Sequence, residues 1–199
     1  MSPSQLDRRQ ILSDAERMRV IASGDARMLE SVMREEAVKL VNFALSLLHD
    51  HSEAEELLQE AFLRLWQQAQ DWRAEARIST WLHRVVYRLA VDRLRRRKPS
   101  LDIADFAETL PSDAASPEET LWHRQRADML ESALEQLAPT QAAAVVLAYR
   151  QGLSQAEASA ILGVSQEAYE SLLARGRRRL KVLIETAAAT QEDGECDGS

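Results

Sequence analysis

The residues with the clearest chemical potential are the cations concentrated between Arg77 and Lys98. This segment carries eight positive side chains and a single acid, Asp92, in a chain whose net charge is −7. Apolar residues recur along it at helical spacing, so the segment predicts a helix with one buried face and one basic face. A basic face of this kind suits the phosphates of a nucleic acid. The alternative is an ordinary solvated helix, although such surfaces usually mix both signs of charge.

A second candidate DNA-binding element lies between Leu153 and Leu180. Ser154 and Glu157 have the spacing of a capping box that begins one helix. Gly163 supplies a turn, and Ser165 is placed to cap a second helix, which gives the layout of a helix-turn-helix. A helical hairpin without a DNA role stays open as the alternative.

The second helix of this element has a predicted inner and outer side. The residues expected to face the core are Val164, Tyr169, Leu173 and Leu180. The residues expected to face outward are Gln166, Glu167, Glu170, Leu172 and Arg175. Its end carries five cations, namely Arg175, Arg177, Arg178, Arg179 and Lys181. Cations there also complement the helix dipole, so part of this cluster has a purely structural explanation.

The overall composition favours a folded, helical, cytoplasmic protein. Of 199 residues, 45% are apolar and 29% charged, and only six are glycine and five proline. No apolar run is long enough to span a membrane, and the N-terminus lacks the apolar stretch of a signal peptide. The single cysteine, Cys196, and four scattered histidines give no metal-ligand spacing and no internal disulfide. We therefore expect no cofactor and no membrane insertion.

The helical patterns fall into two groups, which predicts an all-α fold of two small domains. Residues 1–98 form an N-terminal helical bundle, and residues 118–187 form a C-terminal helix-turn-helix domain in which Pro139 begins a helix. Between them, residues 99–117 contain acids and prolines but no lysine or arginine, which is typical of a flexible acidic linker. Residues 188–199 form an acidic tail that we expect to be disordered.

Local signals set the helices of the N-terminal bundle. Ser13 and Glu16 have capping-box spacing and predict a short helix that ends near Gly24. A second helix is expected over Ala26–Leu48. A third is expected over Ser52–Ala69, begun by another capping box.

Three segments together carry a family resemblance. They are AEELLQEAFLRLWQ (54–67), STWLHRVVYRLAVDRLRRRK (79–98) and LEQLAPTQAAAVVLAYRQGLSQAEASAILGVS (134–165). In this order, across an acidic linker, they resemble the extracytoplasmic-function (ECF) sigma factors of bacterial RNA polymerase. The resemblance implies a non-enzymatic subunit that binds core RNA polymerase through its large subunits, recognises and melts promoter DNA, and is controlled by an anti-sigma factor.

The resemblance also implies roles for particular residues. The residues implied to bind core polymerase are Glu56, Gln59 and Glu60. The residues implied to read and open the −10 element are Trp72, Arg73, Ser79, Arg84, Arg88, Arg93, Arg95 and Arg96. The residues implied to contact the −35 element are Gln166, Glu167, Glu170, Arg175, Arg178 and Arg179. Trp81 shares the helical phase of the apolar face, so we expect it in the core and not as a base-stacking platform.

The resemblance implies that the second helix of the helix-turn-helix is the recognition helix, and two of its residues depart from the family pattern. Glu170 and Leu172 stand where many relatives carry cations. Fewer positive charges predict weaker phosphate contacts and a smaller salt dependence of −35 binding.

Two other functional classes would use parts of the same sequence differently. A helix-turn-helix regulator would bind operator DNA without polymerase and use its N-terminal half for dimerisation or sensing. An enzyme is disfavoured, because the sequence has no glycine-rich phosphate loop, no metal-ligand cluster and no recognisable nucleophile–base pair.

Overall fold

The computed structural model describes residues 3–97 and 130–195, and every regular element within these ranges is a helix. The first four helices are α1 (Pro3–Ala22), α2 (Ala26–Leu48), α3 (His51–Gln68) and α4 (Ile78–Arg97). The next four are α5, described over 130–135, α6 (Pro139–Tyr149), α7 (Gln155–Leu162) and α8 (Gln166–Glu195). The predicted linker 99–117, residues 118–129 and the last residues of the tail lie outside the described residues.

Helix α1 begins earlier than the capping-box pattern predicted. The helix runs through Ser13 and Glu16 without a break and starts at Pro3. The residues before Ser13 are mostly good helix formers, and a capping box marks a start only where the preceding chain leaves the helix. The predicted end is confirmed, since Gly24 follows the helix at a φ of 92°.

Aspartates cap the next two helices. The side chain of Asp25 accepts hydrogen bonds from the backbone N–H groups of Arg27 and Met28 at the start of α2. Helix α2 therefore has the predicted bounds. Asp50 caps α3 by accepting from the N–H of Glu53 at 2.9 Å, so the capping box predicted to begin at Ser52 is wrong.

Each helical group buries its own apolar side chains. In the N-terminal group the most deeply buried large residues include Leu40, Phe43, Leu57, Leu65 and Leu82. In the C-terminal group they include Leu134, Leu147, Ile161 and Tyr169. Tyr169 satisfies its hydroxyl by donating to the carbonyl of Ala144 at 3.2 Å. The two predicted groups of helices are therefore present.

The two groups also pack against each other. Helix α2 contacts α6, and α4 contacts α7. Gln151 Nε2 donates to the carbonyl of Lys39 at 3.1 Å, and Arg84 Nε donates to the carbonyl of Ala160 at 3.1 Å. The buried apolar residues form one continuous cluster through both groups. The sequence predicted the two groups but not this contact.

The last helix is longer than the predicted domain. Helix α8 runs to Glu195, whereas the sequence predicted an end near residue 187 and disorder beyond it. Close to its middle, Gly176 lies against α6, where an added Cβ would come within 2.8 Å of Val145 Cγ2. A glycine at this position therefore lets the two helices approach closely.

Candidate nucleic-acid interface

The arginines of α4, together with Arg77 directly before it, divide into two sets that lie on different sides of the helix. Arg77, Arg84, Arg88 and Arg95 are separated by seven, four and seven residues, a spacing that aligns them along one face. We call these four residues the basic stripe. Arg88 and Arg95 are exposed, while Arg77 and Arg84 are half-buried. The stripe is a row of cations that suits phosphates, although Arg77 and Arg84 contact α7 in this structure.

The other set ties α4 to its neighbours. Arg93 Nη1 donates to Glu56 Oε2 and to the carbonyl of Glu53, both at 3.2 Å. Arg97 forms an ion pair with Glu53 and donates to the carbonyl of Leu48 at 3.4 Å. The DNA role predicted for Arg93 is therefore not supported by its position, because its guanidinium is directed toward α3. Arg96 is exposed beside the stripe.

A short loop connects α3 to α4 after a single 3-10 turn at Ala69–Asp71. In this loop, the half-buried ring of Trp72 meets the ring of Trp81 edge-on, with centroids 5.9 Å apart. Trp81 packs against the core, as its helical phase predicted. Arg73 is exposed in the same loop. The tryptophan pair thus braces the loop while Arg73 projects from it.

Ser79 and His83 form the first turns of α4. The side chain of Ser79 is half-buried, and its carbonyl accepts a hydrogen bond from His83 Nδ1 at 2.8 Å. The imidazole of His83 is buried, with its ring centroid 5.4 Å from that of Phe43. Burial lowers the pKa of His83, so the ring is held in its neutral form.

The predicted docking residues share one exposed side of α3. Glu56, Gln59 and Glu60 lie on the same side of the helix as two apolar residues, Leu63 and Trp66. Neither apolar residue was predicted to take part in docking. Leu63 is 57% exposed and Trp66 37% exposed. We call these five residues the α3 stripe. The sequence signal that could have identified Leu63 and Trp66 is their helical spacing from Gln59, which places large apolar residues on the polar side of α3.

The carboxylates of the α3 stripe are only loosely engaged. Glu56 pairs with Arg93 at 3.2 Å and Glu60 with Arg64 at 2.6 Å, in both cases on the exposed surface. Surface ion pairs of this kind contribute little free energy and exchange readily. The α3 stripe therefore forms an exposed surface of mixed apolar and acidic character.

The helix-turn-helix has the predicted local structure. Ser154 and Glu157 form the complete capping box of α7. Gly163 ends α7 in the left-handed region at a φ of 71°. Ser165 caps α8 by accepting from the N–H of Ala168 at 3.2 Å. The turn therefore follows directly from its capping residues.

The outer side of α8 carries most of the residues predicted for it. Gln166, Glu167, Glu170 and Arg179 are exposed, and Arg175 and Arg178 are half-buried. Hydrogen bonds from its own backbone N–H and from the Ser165 hydroxyl lower the pKa of Glu167. An anionic group therefore stands at the N-terminal end of the recognition helix.

Two predicted orientations in this element are corrected. Val164 was expected in the core but is 37% exposed, because it lies in the turn before α8 begins. Leu172 was expected to face outward but is half-buried and packs against the core. Its apolar packing accounts for an aliphatic residue at this position.

Across the described ranges, no group of histidine, cysteine and carboxylate side chains is placed to hold a metal ion. In the same ranges, each helix is too short or too polar to cross a lipid bilayer.

The fold defines a helical protein that carries a basic helix and a helix-turn-helix, two elements typical of DNA-binding proteins. Residues 32–99 match Sigma-70 region 2, and residues 127–180 match Sigma-70, region 4. The chain is 33% identical over 174 residues to the ECF RNA polymerase sigma factor SigM of Mycobacterium tuberculosis, covering 86% of this chain and 85% of that protein. The chain belongs to the ECF sigma factors.

Solved structures give the same fold. A structure of CnrH in complex with the cytosolic domain of CnrY matches with a TM-score of 0.65 and 23% identity, covering 87% of this chain and 97% of that one. The sigma factor RpoE in complex with the anti-sigma factor NepR, from Bartonella quintana, matches with a TM-score of 0.60 and 23% identity, covering 78% and 96%.

Proposed function

We propose that this sigma factor docks on core RNA polymerase through the α3 stripe and opens the −10 element with the basic stripe. Helix α8 would contact the −35 element, and an anti-sigma factor would control the chain. It would act in the cytoplasm, where polymerase and chromosome meet, and would contribute no catalytic chemistry of its own. The observation that carries this proposal is the division of the α4 arginines between two sides of the helix.

The two sets of arginines would therefore serve different tasks, one holding α4 against α3 and the other contacting DNA. Arg93, through the carbonyl of Glu53, and Arg97, through the Glu53 carboxylate, hold α4 against α3, so the helix that would contact DNA is fixed to the helix that would contact polymerase. The exposed Arg88 and Arg95 remain on the other side, where they can follow the phosphates of a separated strand. Arg73, in the loop before α4, extends the same cationic path.

The recognition helix explains why polymerase would be needed for promoter binding. Glu167 and Glu170 place negative charge on its exposed side, and the whole chain has a net charge of −7. Both features weaken long-range attraction to DNA. The chain would therefore bind promoters well only when polymerase supplies further contacts.

The contact between the two helical groups must break when both promoter elements are bound. The names of the elements place them about 25 base pairs apart, which is on the order of 85 Å along duplex DNA. In this structure Arg77 Nη1 lies 3.3 Å from Glu157 Oε1, and α4 touches α7. The structure is therefore a closed form in which part of the basic stripe is covered.

An anti-sigma factor is a natural ligand for this closed form. The similar structures of CnrH and of RpoE each contain a second protein, which in the RpoE complex is an anti-sigma factor. By stabilising the closed arrangement, such a partner would keep the reading elements together and shift the population away from the promoter-binding form.

A gel-shift assay tests the proposal and separates it from an operator-binding regulator. Promoter fragments are incubated with the chain, with core polymerase, and with both. We expect a specific, heparin-resistant complex only when both are present. Tight, specific binding by the chain alone would favour the regulator, and failure of the mixture to bind any promoter fragment would overturn the proposal.

A further inference from the structure

We infer that Asp14, on α1, is a positioning residue for promoter opening. It fixes the first turn of α4 and, through it, the loop that precedes this helix. The inference rests on the proposed function of α4. Helix α1 lies outside the region 2 match, which begins at residue 32, so no role transfers to Asp14 from that match.

The carboxylate of Asp14 acts as the cap of a distant helix. Asp14 Oδ2 accepts a hydrogen bond from the backbone N–H of Ile78 at 2.9 Å, across 64 positions of sequence. Both residues are buried, with exposures of 3% for Asp14 and 2% for Ile78. A charged cap shielded from water holds the start of a helix more firmly than an exposed one.

Two side chains on α1 hold this carboxylate in place. Gln10 Nε2 donates to Asp14 Oδ1 at 3.1 Å. Arg17 lies 3.7 Å from the same oxygen and also pairs with Glu35 of α2 at 2.7 Å. The cap is therefore tied to both α1 and α2, and α4 is placed relative to two helices at once.

Helix α1 fixes the other end of the loop as well. It packs against the 3-10 turn at Ala69–Asp71, which comes directly before the loop. The loop carrying Trp72 and Arg73 is thus held by α1 at its start and by Asp14 at its end. Asp14 also lines a polar cavity with Arg77 and Ser79, so it lies directly beside the proposed −10 contacts.

The α3 stripe makes no hydrogen bond or ion pair with Asp14 among those described. Loss of the cap should therefore disturb DNA opening more than polymerase binding. This difference separates a positioning residue from one that merely supports the fold.

The test uses holoenzyme made from core polymerase and the full chain, with 2-aminopurine in the −10 element as the probe of opening. We expect Asp14→Ala to slow opening of duplex promoter about tenfold, as a lost cap would. On a template already unpaired at −10, the same variant should transcribe within about twofold of the wild type, since the opening step is bypassed. Affinity for core polymerase should be unchanged.

Matched variants complete the design. Glu16→Ala removes an exposed carboxylate from the same helix and should behave as the wild type. Asp14→Asn keeps a carbonyl oxygen for the Ile78 N–H and should recover most of the opening rate. Gln10→Ala leaves the cap but loosens it, and should slow opening about twofold to threefold. The Gln10→Ala variant still tests the inference if thermal melting shows that Asp14→Ala does not fold.

Three outcomes would overturn the inference. One is equal opening rates for Asp14→Ala and Glu16→Ala. Another is an equal loss on duplex and unpaired templates, which would indicate a general folding role. The third is an unfolded Asp14→Ala with no effect of Gln10→Ala. A wild-type chain that opened no duplex promoter would instead overturn the proposed function itself.

Discussion

At the scale of single residues, position along α4 decides what each arginine does. The composition of the segment indicated a nucleic-acid partner, but charge alone could not separate Arg88 from Arg93. Only the packed structure shows that Arg93 meets Glu56 and the carbonyl of Glu53, because those groups come from a different helix. The number of cations was predictable from sequence, whereas their partners depend on tertiary contacts.

Arg88 and Arg93 are predicted to give different phenotypes when changed to alanine. Arg88→Ala removes one exposed cation of the basic stripe, so holoenzyme binding to promoter DNA should lose about one unit of salt dependence. Arg93→Ala should leave that slope unchanged and lower the free energy of unfolding by about 1 kcal/mol. Binding titrations at several salt concentrations, with thermal melting of both variants, check this. Equal salt slopes for the two variants would contradict it.

His83 is predicted to make the fold sensitive to mild acid. Burial lowers the pKa of His83 below the value of an unfolded chain, so the unfolded state takes up protons first as pH falls. The stabilisation that comes from holding His83 neutral is complete above about pH 6.5. It is lost as the pH falls toward the pKa of His83 in the folded state. The Tm should therefore fall by several degrees between neutral and mildly acidic pH.

The control for this prediction is His83→Gln, which cannot titrate. Other groups also titrate, and burial raises the pKa of Glu36, which acts with the opposite sign. The difference between wild type and His83→Gln isolates the histidine. Parallel Tm curves for the two proteins would show that His83 does not control the acid response.

At the scale of elements, the sequence correctly predicted the helices whose ends are determined by their own capping residues. The bounds of α2 and the capped turn between α7 and α8 follow from their capping residues and glycine. Helix α1 did not follow its capping-box pattern, because the helix already runs through Ser13 and Glu16 from its start at Pro3. A capping pattern marks a helix start only where the preceding chain is not helical.

Close packing between elements was also beyond the sequence. Gly176 has no local signal that distinguishes it from a helix-breaking glycine, yet it permits the approach of α6 to α8. Leu172 was placed outward by its helical phase and the family pattern, and it packs inward because this face of α8 meets the core. Such positions depend on which helix lies opposite.

The α3 stripe is predicted to carry the affinity for core polymerase. Gln59→Ala combined with Glu60→Lys should weaken binding to core polymerase about tenfold or more, because it removes a polar side chain from the proposed docking face and reverses a charge there. Helix content and Tm should stay close to the wild type, since both side chains are on the surface. Fluorescence anisotropy of the labelled chain with core polymerase measures the affinity.

Glu16→Lys is the matched control for the charge reversal, because Glu16 is exposed on α1, away from the α3 stripe. It should bind core polymerase as the wild type does. If the α3 double variant also bound normally, the docking face would have to lie elsewhere.

At the scale of the whole molecule, the main feature is the contact between the two helical groups. Neither group carries a local pattern that demands it, since Arg84 donates to a backbone carbonyl at Ala160 that any residue could present. The sequence therefore predicted two groups but not their closed arrangement. The separation of the promoter elements then requires this arrangement to open during function.

Separation of the two helical groups is predicted to be visible as a change in the distance between them. Fluorophores on Arg27→Cys and Glu185→Cys, in a chain with Cys196→Ser, should show efficient energy transfer when free and a marked loss with core polymerase and promoter DNA. Arg84→Ala should raise the open fraction of the free chain, because it removes a contact present only in the closed form. Arg88→Ala is the control. Constant transfer efficiency throughout would contradict an opening step.

Whether this chain directs polymerase to promoters can be measured by mapping the 5′ ends of transcripts made in vitro. Core polymerase transcribes genomic fragments with and without the chain, and the ends are sequenced. We expect a discrete set of start sites that appears only with the chain, each preceded by the same pair of −10 and −35 sequences. Identical start sites with and without the chain would contradict it.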